Sequence, residues 1–132
     1  MTVVLDTSAV AAVVFGEPDA EVLLSMMRRF AGDLAISAAT AVELGILVEA
    51  RQGPEASADL TTLMDGLRVR TAPVDGDQAR LAIGAWRRFG KGRHPAGLNL
   101  GDCFSYALAK AEGAPLLFKG NDFPQTDIAS AL

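Results

Sequence analysis

Short apolar runs alternate along the chain with longer stretches in which apolar residues recur at helical spacing. The short runs predict buried strands, and these lie at residues 3–5, 34–36, 69–74 and 116–118, with a short fifth strand at 127–129. The longer stretches predict helices over residues 9–15, 19–30, 38–51, 54–67, 75 or 77 to 89, and 99 or 101 to 110. Strands that alternate with helices in this way indicate an α/β fold with a mostly parallel sheet of four to five strands and helices on both faces.

Composition bounds the class of protein. The chain has 132 residues, half of them apolar, and its 12 basic and 16 acidic residues give a net charge of −4. These values predict one compact domain over residues 1–132. No apolar run approaches the ~18 residues of a membrane-spanning helix, and no basic region precedes the first apolar run. We therefore expect no membrane association, no signal peptide, and a cytoplasmic protein.

The scarcity of Cys and His narrows the chemistry. With Cys103 and His94 as single examples, the chain can form neither an internal disulfide nor a Cys-rich zinc site, and it lacks a pair of histidines for acid–base catalysis. If the protein is an enzyme, carboxylates are left to do the chemistry. Carboxylates alone favour a hard cation such as Mg²⁺ or Mn²⁺.

Four carboxylates share one predicted edge of the sheet. Asp6 follows the first strand, Asp122 follows the fourth, Asp102 lies in the first turn of the last helix, and Glu43 lies on an apolar helix stripe. Singly, each has an ordinary explanation as a helix cap, a turn residue or a solvated charge. Together they would repel one another by roughly 3 kcal/mol per pair at ~5 Å, and a bound dication reverses that interaction. The sequence therefore predicts a metal site at this edge.

Four motifs surround the candidate acids and span nearly the whole chain: VVLDTSA at 3–9, SAATAVEL at 37–44, LNLGDC at 98–103, and LFKGNDF with TDI at 117–128. In order and spacing they resemble the motifs of PIN-domain ribonucleases, and specifically those of the VapC toxins of toxin–antitoxin pairs. The resemblance implies a PIN-like three-layer α/β/α sandwich. It also implies a metal-dependent endoribonuclease that is held inactive by a VapB-like antitoxin and commonly forms a homodimer.

The resemblance also assigns roles to residues of this chain. Asp6 and Asp102 would be the principal Mg²⁺ or Mn²⁺ ligands, while Glu43 and Asp122 would complete the acidic pocket. Asp127 matches a further family acid with a structural role. Thr7 and Ser8 are interpreted as capping residues that could also fix Asp6. A water activated by the metal would attack RNA in line and leave a 5′-phosphate.

A basic segment precedes Asp102. No acidic residue lies between Asp77 and Asp102, and the segment carries four candidate RNA contacts: Arg87, Arg88, Lys91 and Arg93. These charges could steer phosphates toward the metal, which softens the objection that an acidic protein raises to nucleic-acid binding. The alternative interpretation is a solvated helix face with Trp86 and Phe89 in the core. Lys119 is a candidate counter-ion for Asp122.

Other functions remain open from the sequence. A phosphohydrolase of the haloacid-dehalogenase type also places an Asp after its first strand, but it needs a second Asp where this chain has Ser8. A phospho-acceptor receiver domain needs an acid pair near the start, where Asp6 stands alone. A PIN fold that serves only as a binding module is the non-enzymatic alternative, and the presence of all four acids weighs against it.

Overall fold

The computed structural model describes residues 1–132. Its sheet has four strands, β1 (Val3–Leu5), β2 (Leu34–Ser37), β3 (Arg70–Ala72) and β4 (Leu116–Leu117), in the order β3-β2-β1-β4. Every strand pair is parallel. The helices are α1 (Thr7–Val14), α2 (Ala20–Arg29), α3 (Ala38–Gly66), α4 (Gly76–Phe89) and α5 (Leu100–Glu112), followed by a 3₁₀ turn at Phe123–Gln125.

Two apolar clusters pack on opposite faces of the sheet, as the pleat of a buried strand requires. Val3 and Leu5 of β1 face the cluster formed with α1, α2 and α3. Val4 points the other way, into the cluster formed with α4 and α5. The three-layer α/β/α sandwich expected from the sequence is therefore confirmed.

The long helix α3 contains a break that the sequence predicts. Gly53 has φ 86° and ψ 179°, which is not helical, and Pro54 follows it. A positive φ suits glycine, and proline suits the first turn of a helix. The two helices predicted over 38–51 and 54–67 are therefore the two arms of α3.

Two expectations need correction. The fifth strand at 127–129 does not form, because only a single bridge joins Leu116 to Ser130 and the side chain of Asp127 is held by α5. The segment 90–97, whose three glycines and one proline predict a loose loop, is not loose. Backbone hydrogen bonds of 2.9 Å link Lys91 N to Leu98 O and Leu98 N to Phe89 O, and Ala96 is fully buried. The backbone hydrogen bonds therefore close this loop at its base, and the buried Ala96 fills its interior.

Candidate active site

Asp6 lies where β1 ends and α1 begins, and it is only 3% exposed. Its Oδ2 accepts hydrogen bonds from the backbone N (3.0 Å) and the hydroxyl (2.6 Å) of Ser8. Its Oδ1 accepts a hydrogen bond of 2.6 Å from the hydroxyl of Ser105 on α5. The carboxylate is thus buried and held through both oxygens. These hydrogen bonds compensate for the hydration that the carboxylate loses on burial. Ser8 does fix Asp6, as the sequence suggested.

Asp102 lies in the first turn of α5, where it forms a reciprocal capping box with Asn99. Asn99 N donates to Asp102 Oδ2 at 3.0 Å, and Asp102 N donates to Asn99 Oδ1 at 2.8 Å. The pKa of Asp102 is raised to about 6, chiefly by burial and also by the negative charges of Asp6, Asp122 and Glu43, while the hydrogen bond from Asn99 opposes the rise. Asp6, Glu43 and Asp122 therefore each lie within electrostatic reach of Asp102.

Glu43 projects from the second turn of α3 toward the start of α5. Its Oε1 accepts a hydrogen bond of 2.5 Å from the hydroxyl of Thr7. Its Oε2 lies where a Cβ would project from Gly101, so that any larger residue at position 101 would collide with the Glu43 carboxylate. The absence of a side chain at Gly101 gives Glu43 its place beside Asp102. Thr7 therefore fixes Glu43, whereas the sequence suggested Asp6.

Asp122 is the most loosely held of the four acids. It is exposed, lies between β4 and the 3₁₀ turn, and its side chain accepts no hydrogen bond from the chain. Asp122 interacts with Asp102, because its negative charge raises the pKa of that residue. Lys119 is not its counter-ion, because Nζ of Lys119 pairs with Glu17 at 2.8 Å and Asp19 at 3.2 Å. That expectation was wrong, and the acidic cluster keeps its negative charge.

No cation of the chain neutralises this cluster, since none of the salt bridges involves its four carboxylates. No three His, Cys, Asp or Glu side chains stand in an arrangement that could hold a metal ion as they are placed. The donor chemistry nevertheless fits a hard cation, because every candidate ligand atom is a carboxylate oxygen. Oxygens that accept no hydrogen bond within the chain remain on three of the acids, namely Glu43 Oε2, Asp102 Oδ1 and both oxygens of Asp122.

The basic segment is divided between structure and solvent. Arg88 faces Tyr106 and Asp127, at 3.5 Å and 3.6 Å. The Arg93 guanidinium lies 4.7 Å from the centre of the Trp86 ring. The side chains of Arg87 and Lys91 form no salt bridge.

The aromatic residues of this segment are divided as well. Phe89 is buried, whereas Trp86 is 45% exposed and lines an apolar cleft of about 690 Å³ between α4 and α5. Lys91, Asn99 and Cys103 also line this cleft, so it lies beside the residues that flank Asp102. The core alternative therefore holds for Phe89 but not for Trp86.

Three residues of the site escaped sequence interpretation: Thr40, Gly101 and Ser105. Ser105 follows Asp102 by one helical turn, and Thr40 precedes Glu43 by one turn. Hydroxyl residues at i,i+3 from an acid on an otherwise apolar helix face are a usable signal, because that spacing places both side chains on one face. The role of Gly101 has no such signal, since it depends on where a side chain of another helix ends.

Cys103 is buried in α5 and is poorly suited to act as a nucleophile. Burial, assisted by the charge of Asp102, raises the pKa of this thiol to about 11. The thiol stays protonated near neutral pH, and a protonated thiol is a poor nucleophile. Cys103 is therefore a small buried residue of α5.

Known proteins are similar to this chain over nearly its whole length. The PIN domain family model matches residues 3–129. A relative from Mycolicibacterium smegmatis, named Ribonuclease VapC, is 48% identical over 129 residues, covering 96% of this chain and 98% of its own. Ribonuclease VapC42 of Mycobacterium tuberculosis is 46% identical over 129 residues, covering 97% and 98%. The chain belongs to the VapC ribonucleases, a family of PIN-domain proteins.

Solved structures share the fold at low sequence identity. Mycobacterium tuberculosis VapC20, described as a toxin that cleaves the sarcin–ricin loop, superimposes with a TM-score of 0.79 at 18% identity, covering 97% of both chains. VapBC2 from Rickettsia felis, bound to a DNA fragment from its promoter, gives 0.78 at 16% identity over 98% of this chain and 96% of its own. No helix of the present structure combines the length and apolar character needed to span a bilayer.

Proposed function

We propose that this chain is the toxin of a VapBC-type pair and acts as an endoribonuclease that requires Mg²⁺ or Mn²⁺. One observation carries the proposal: Asp102 is half-buried within electrostatic reach of Asp6, Glu43 and Asp122, and no salt bridge of the chain involves any of these four carboxylates. Such an arrangement is unfavourable by itself and becomes favourable around a dication. The family match removes the haloacid-dehalogenase alternative and supports an RNA substrate.

Asp6 and Asp102 are proposed as the principal metal ligands, with Glu43 and Asp122 completing the set directly or through water. Two of these acids stand on rigid supports, since Asp6 is held by Ser8 and Ser105, and Asp102 by the capping box. When bound, Mg²⁺ or Mn²⁺ would supply an activated water and would screen the scissile phosphate from the acidic pocket. Water as the nucleophile leaves a 5′-phosphate and does not use the 2′-hydroxyl.

The basic residues are proposed to steer RNA. Arg87 and Lys91 have no partner acid in the chain, and Lys91 lines the cleft that reaches Asn99 beside Asp102. Arg93 stacks on the exposed Trp86, so its charge also faces solvent. Arg88 is the weakest of the four candidates because it already faces Asp127.

The proposed partners are a VapB-like antitoxin and a second copy of the chain. The antitoxin is supported by the family and by fold relatives that were solved as VapBC complexes from Rickettsia felis and Salmonella typhimurium. An arginine from the antitoxin is expected to reach the carboxylates and compete with the metal. Measuring the mass of the purified protein by light scattering, with and without a candidate VapB-like antitoxin, tests both partners.

Cleavage of RNA by the purified protein tests the activity. We expect cleavage with Mg²⁺ or Mn²⁺, none with EDTA, products that carry a 5′-phosphate, and none with Asp6→Asn. Expression without an antitoxin should slow growth, and Glu43→Ala should relieve that effect. Cleavage that persists in EDTA, or equal toxicity of Glu43→Ala, would count against this proposal and favour the non-catalytic binding module or a different source of harm.

A further inference from the structure

A chain of buried hydroxyl groups connects α3 and α5 to Asp6. The hydroxyl of Thr40 lies 3.3 Å from that of Ser105, which in turn lies 2.6 Å from Asp6 Oδ1. All three residues are buried, with exposures of 1%, 0% and 3%. Buried hydroxyls are costly unless they are hydrogen-bonded, so this chain is a specific feature of the fold.

The chemistry of the groups fixes the direction of the hydrogen bonds. An ionised carboxylate only accepts, and a serine hydroxyl has a single hydrogen to donate. Ser105 must therefore donate its hydrogen to Asp6, which leaves its oxygen as an acceptor for Thr40. Thr40 orients Ser105, and Ser105 orients Asp6.

The same reasoning identifies the oxygen of Asp6 that is free for a ligand. Oδ2 accepts two hydrogen bonds from Ser8, one from its backbone N and one from its hydroxyl. Oδ1 accepts only the one from Ser105. Because each carboxylate oxygen has two lone pairs, Oδ1 keeps one lone pair unused, and it is the atom that Ser105 holds.

The hydrogen-bonded hydroxyls of Thr40 and Ser105 also connect the two helices that carry the other acids. Thr40 lies one helical turn before Glu43 on α3, and Ser105 lies one turn after Asp102 on α5. A bond between Thr40 and Ser105 therefore ties together the two helices that carry Glu43 and Asp102, and it ties both to Asp6 at the end of β1.

We propose that Ser105 and Thr40 are positioning residues that hold Asp6 Oδ1 in place for a divalent cation. The proposal rests on the proposed metal-dependent function. Ser105 acts on Asp6 directly, and Thr40 acts only through Ser105. A pair that merely packs the interior would affect stability alone.

Binding of Mn²⁺, measured by calorimetry, is the first readout because it does not need an RNA substrate. We expect Ser105→Ala to weaken Mn²⁺ binding about tenfold, since hydrogen bonds to charged groups are worth that much or more. Thr40→Val should weaken binding less, in the same direction. The double variant should bind Mn²⁺ as Ser105→Ala does, because Thr40 has no route to Asp6 once the Ser105 hydroxyl is gone.

The second readout is RNA cleavage at saturating RNA, compared with the KM for RNA. We expect kcat to fall with the Mn²⁺ affinity while KM stays within about twofold, because neither hydroxyl reaches the surface. Ser105→Thr and Thr40→Ser keep a hydroxyl and should restore most of both values. Ser37→Ala is the matched control, since it removes a buried hydroxyl that caps α3 without touching a carboxylate.

The outcomes separate the two proposals. If the wild type binds Mn²⁺ but cleaves no RNA, the proposed function fails while the calorimetry still decides the role of Ser105. Wild-type Mn²⁺ affinity in Ser105→Ala, or losses that multiply in the double variant, would overturn the positioning role. An equal loss in Ser37→Ala would overturn it too, because the effect would then follow from general destabilisation, which thermal unfolding of every variant records. A wild type that binds no Mn²⁺ overturns both proposals.

Discussion

The two ends of helix α5 hold carboxylates in opposite surroundings. At its start, Asp102 is half-buried among other acids and has no cation nearby, and its pKa rises to about 6 through burial and neighbouring negative charge. At its end, Asp127 accepts a hydrogen bond from Tyr106 (2.6 Å) and pairs with Lys110 (2.8 Å). Burial alone would raise the pKa of Asp127, but Lys110, Tyr106 and Arg88 outweigh it and hold that pKa below its usual value.

This difference distinguishes a structural acid from a candidate catalytic one. The environment of Asp127 favours the charged form of its carboxyl group, so that no bound cation is needed to stabilise it. The environment of Asp102 disfavours the charged form, so the folded chain is held in a state that a bound cation would relieve. Strongly perturbed groups of this kind concentrate at functional sites. The proposed catalytic role therefore belongs to Asp102 at one end of α5, and a stabilising role to Asp127 at the other.

The largest expected effect is on RNA cleavage. Asp102→Asn should lower metal-dependent cleavage by more than about 100-fold, beyond the loss typical of groups that only orient a ligand. Asp127→Asn should stay within about threefold of the wild type, since Asp127 faces Lys110 and Tyr106. Single-turnover cleavage in Mn²⁺ measures both variants. Comparable losses in the two would break the distinction between the ends of α5.

The same two variants should shift stability in opposite directions. A rise in pKa from 3.8 to about 6 corresponds to about 3 kcal/mol. Solvent screening of a half-buried group reduces the expected gain at pH 7 in Asp102→Asn to about 1–2 kcal/mol. Asp127→Asn should lose about 0.5–1 kcal/mol, as expected for a surface ion pair. Urea unfolding measures both changes.

The pH dependence follows from the sign of each shift. Between pH 3.8 and about 6, folded Asp102 binds more protons than the unfolded chain, so its destabilising effect grows as the pH rises and is complete above that range. The gain in Asp102→Asn should therefore be full at pH 7 and vanish below pH 3.8. Asp127 contributes stability above its unfolded pKa of 3.8 and loses it as the pH falls further. A gain that persists at pH 3.5 would contradict this assignment.

How far the sequence reached can be seen at individual residues. The positions of Asp6 and Asp122 after strands, and the break at Gly53, depend on local patterns, and local patterns are legible in one dimension. The closed loop 90–97 depends on the residues that fill it and on the hydrogen bonds at its base. The missing fifth strand is related to the salt bridge between Asp127 and Lys110 of α5. These are tertiary effects. For the same reason, the sequence named Ser8 as a support of Asp6 but could not find Ser105, which lies 99 residues away.

A smaller effect should follow from filling the space beneath Glu43. Gly101→Ala adds a Cβ that collides with Glu43 Oε2, and the flexible Glu43 side chain must shift away from position 101. We expect cleavage to fall about tenfold with a stability change below about 1 kcal/mol. Gly45→Ala, on the same helix as Glu43 with open space around it, should gain about 0.5–1 kcal/mol and keep full activity. Full activity in Gly101→Ala would show that the placement of Glu43 does not matter.

The smallest effect concerns the basic segment, whose residues differ in whether they contact an acidic side chain. Arg88 belongs to the neutralised end through Asp127, whereas Arg87 and Lys91 have no acidic partner. If Arg87 and Lys91 each contact a phosphate of single-stranded RNA, replacing either by Gln should lower the slope of log affinity against log salt by about 0.7.

Arg88→Gln should change that slope less, because part of its charge is already engaged. Arg80→Gln is the control, since Arg80 pairs with Asp77 on an exposed face. Fluorescence anisotropy with an inactive Asp102→Asn background measures these slopes without cleavage, and an equal change in all four variants would mean that the charges act only through the net charge of the protein.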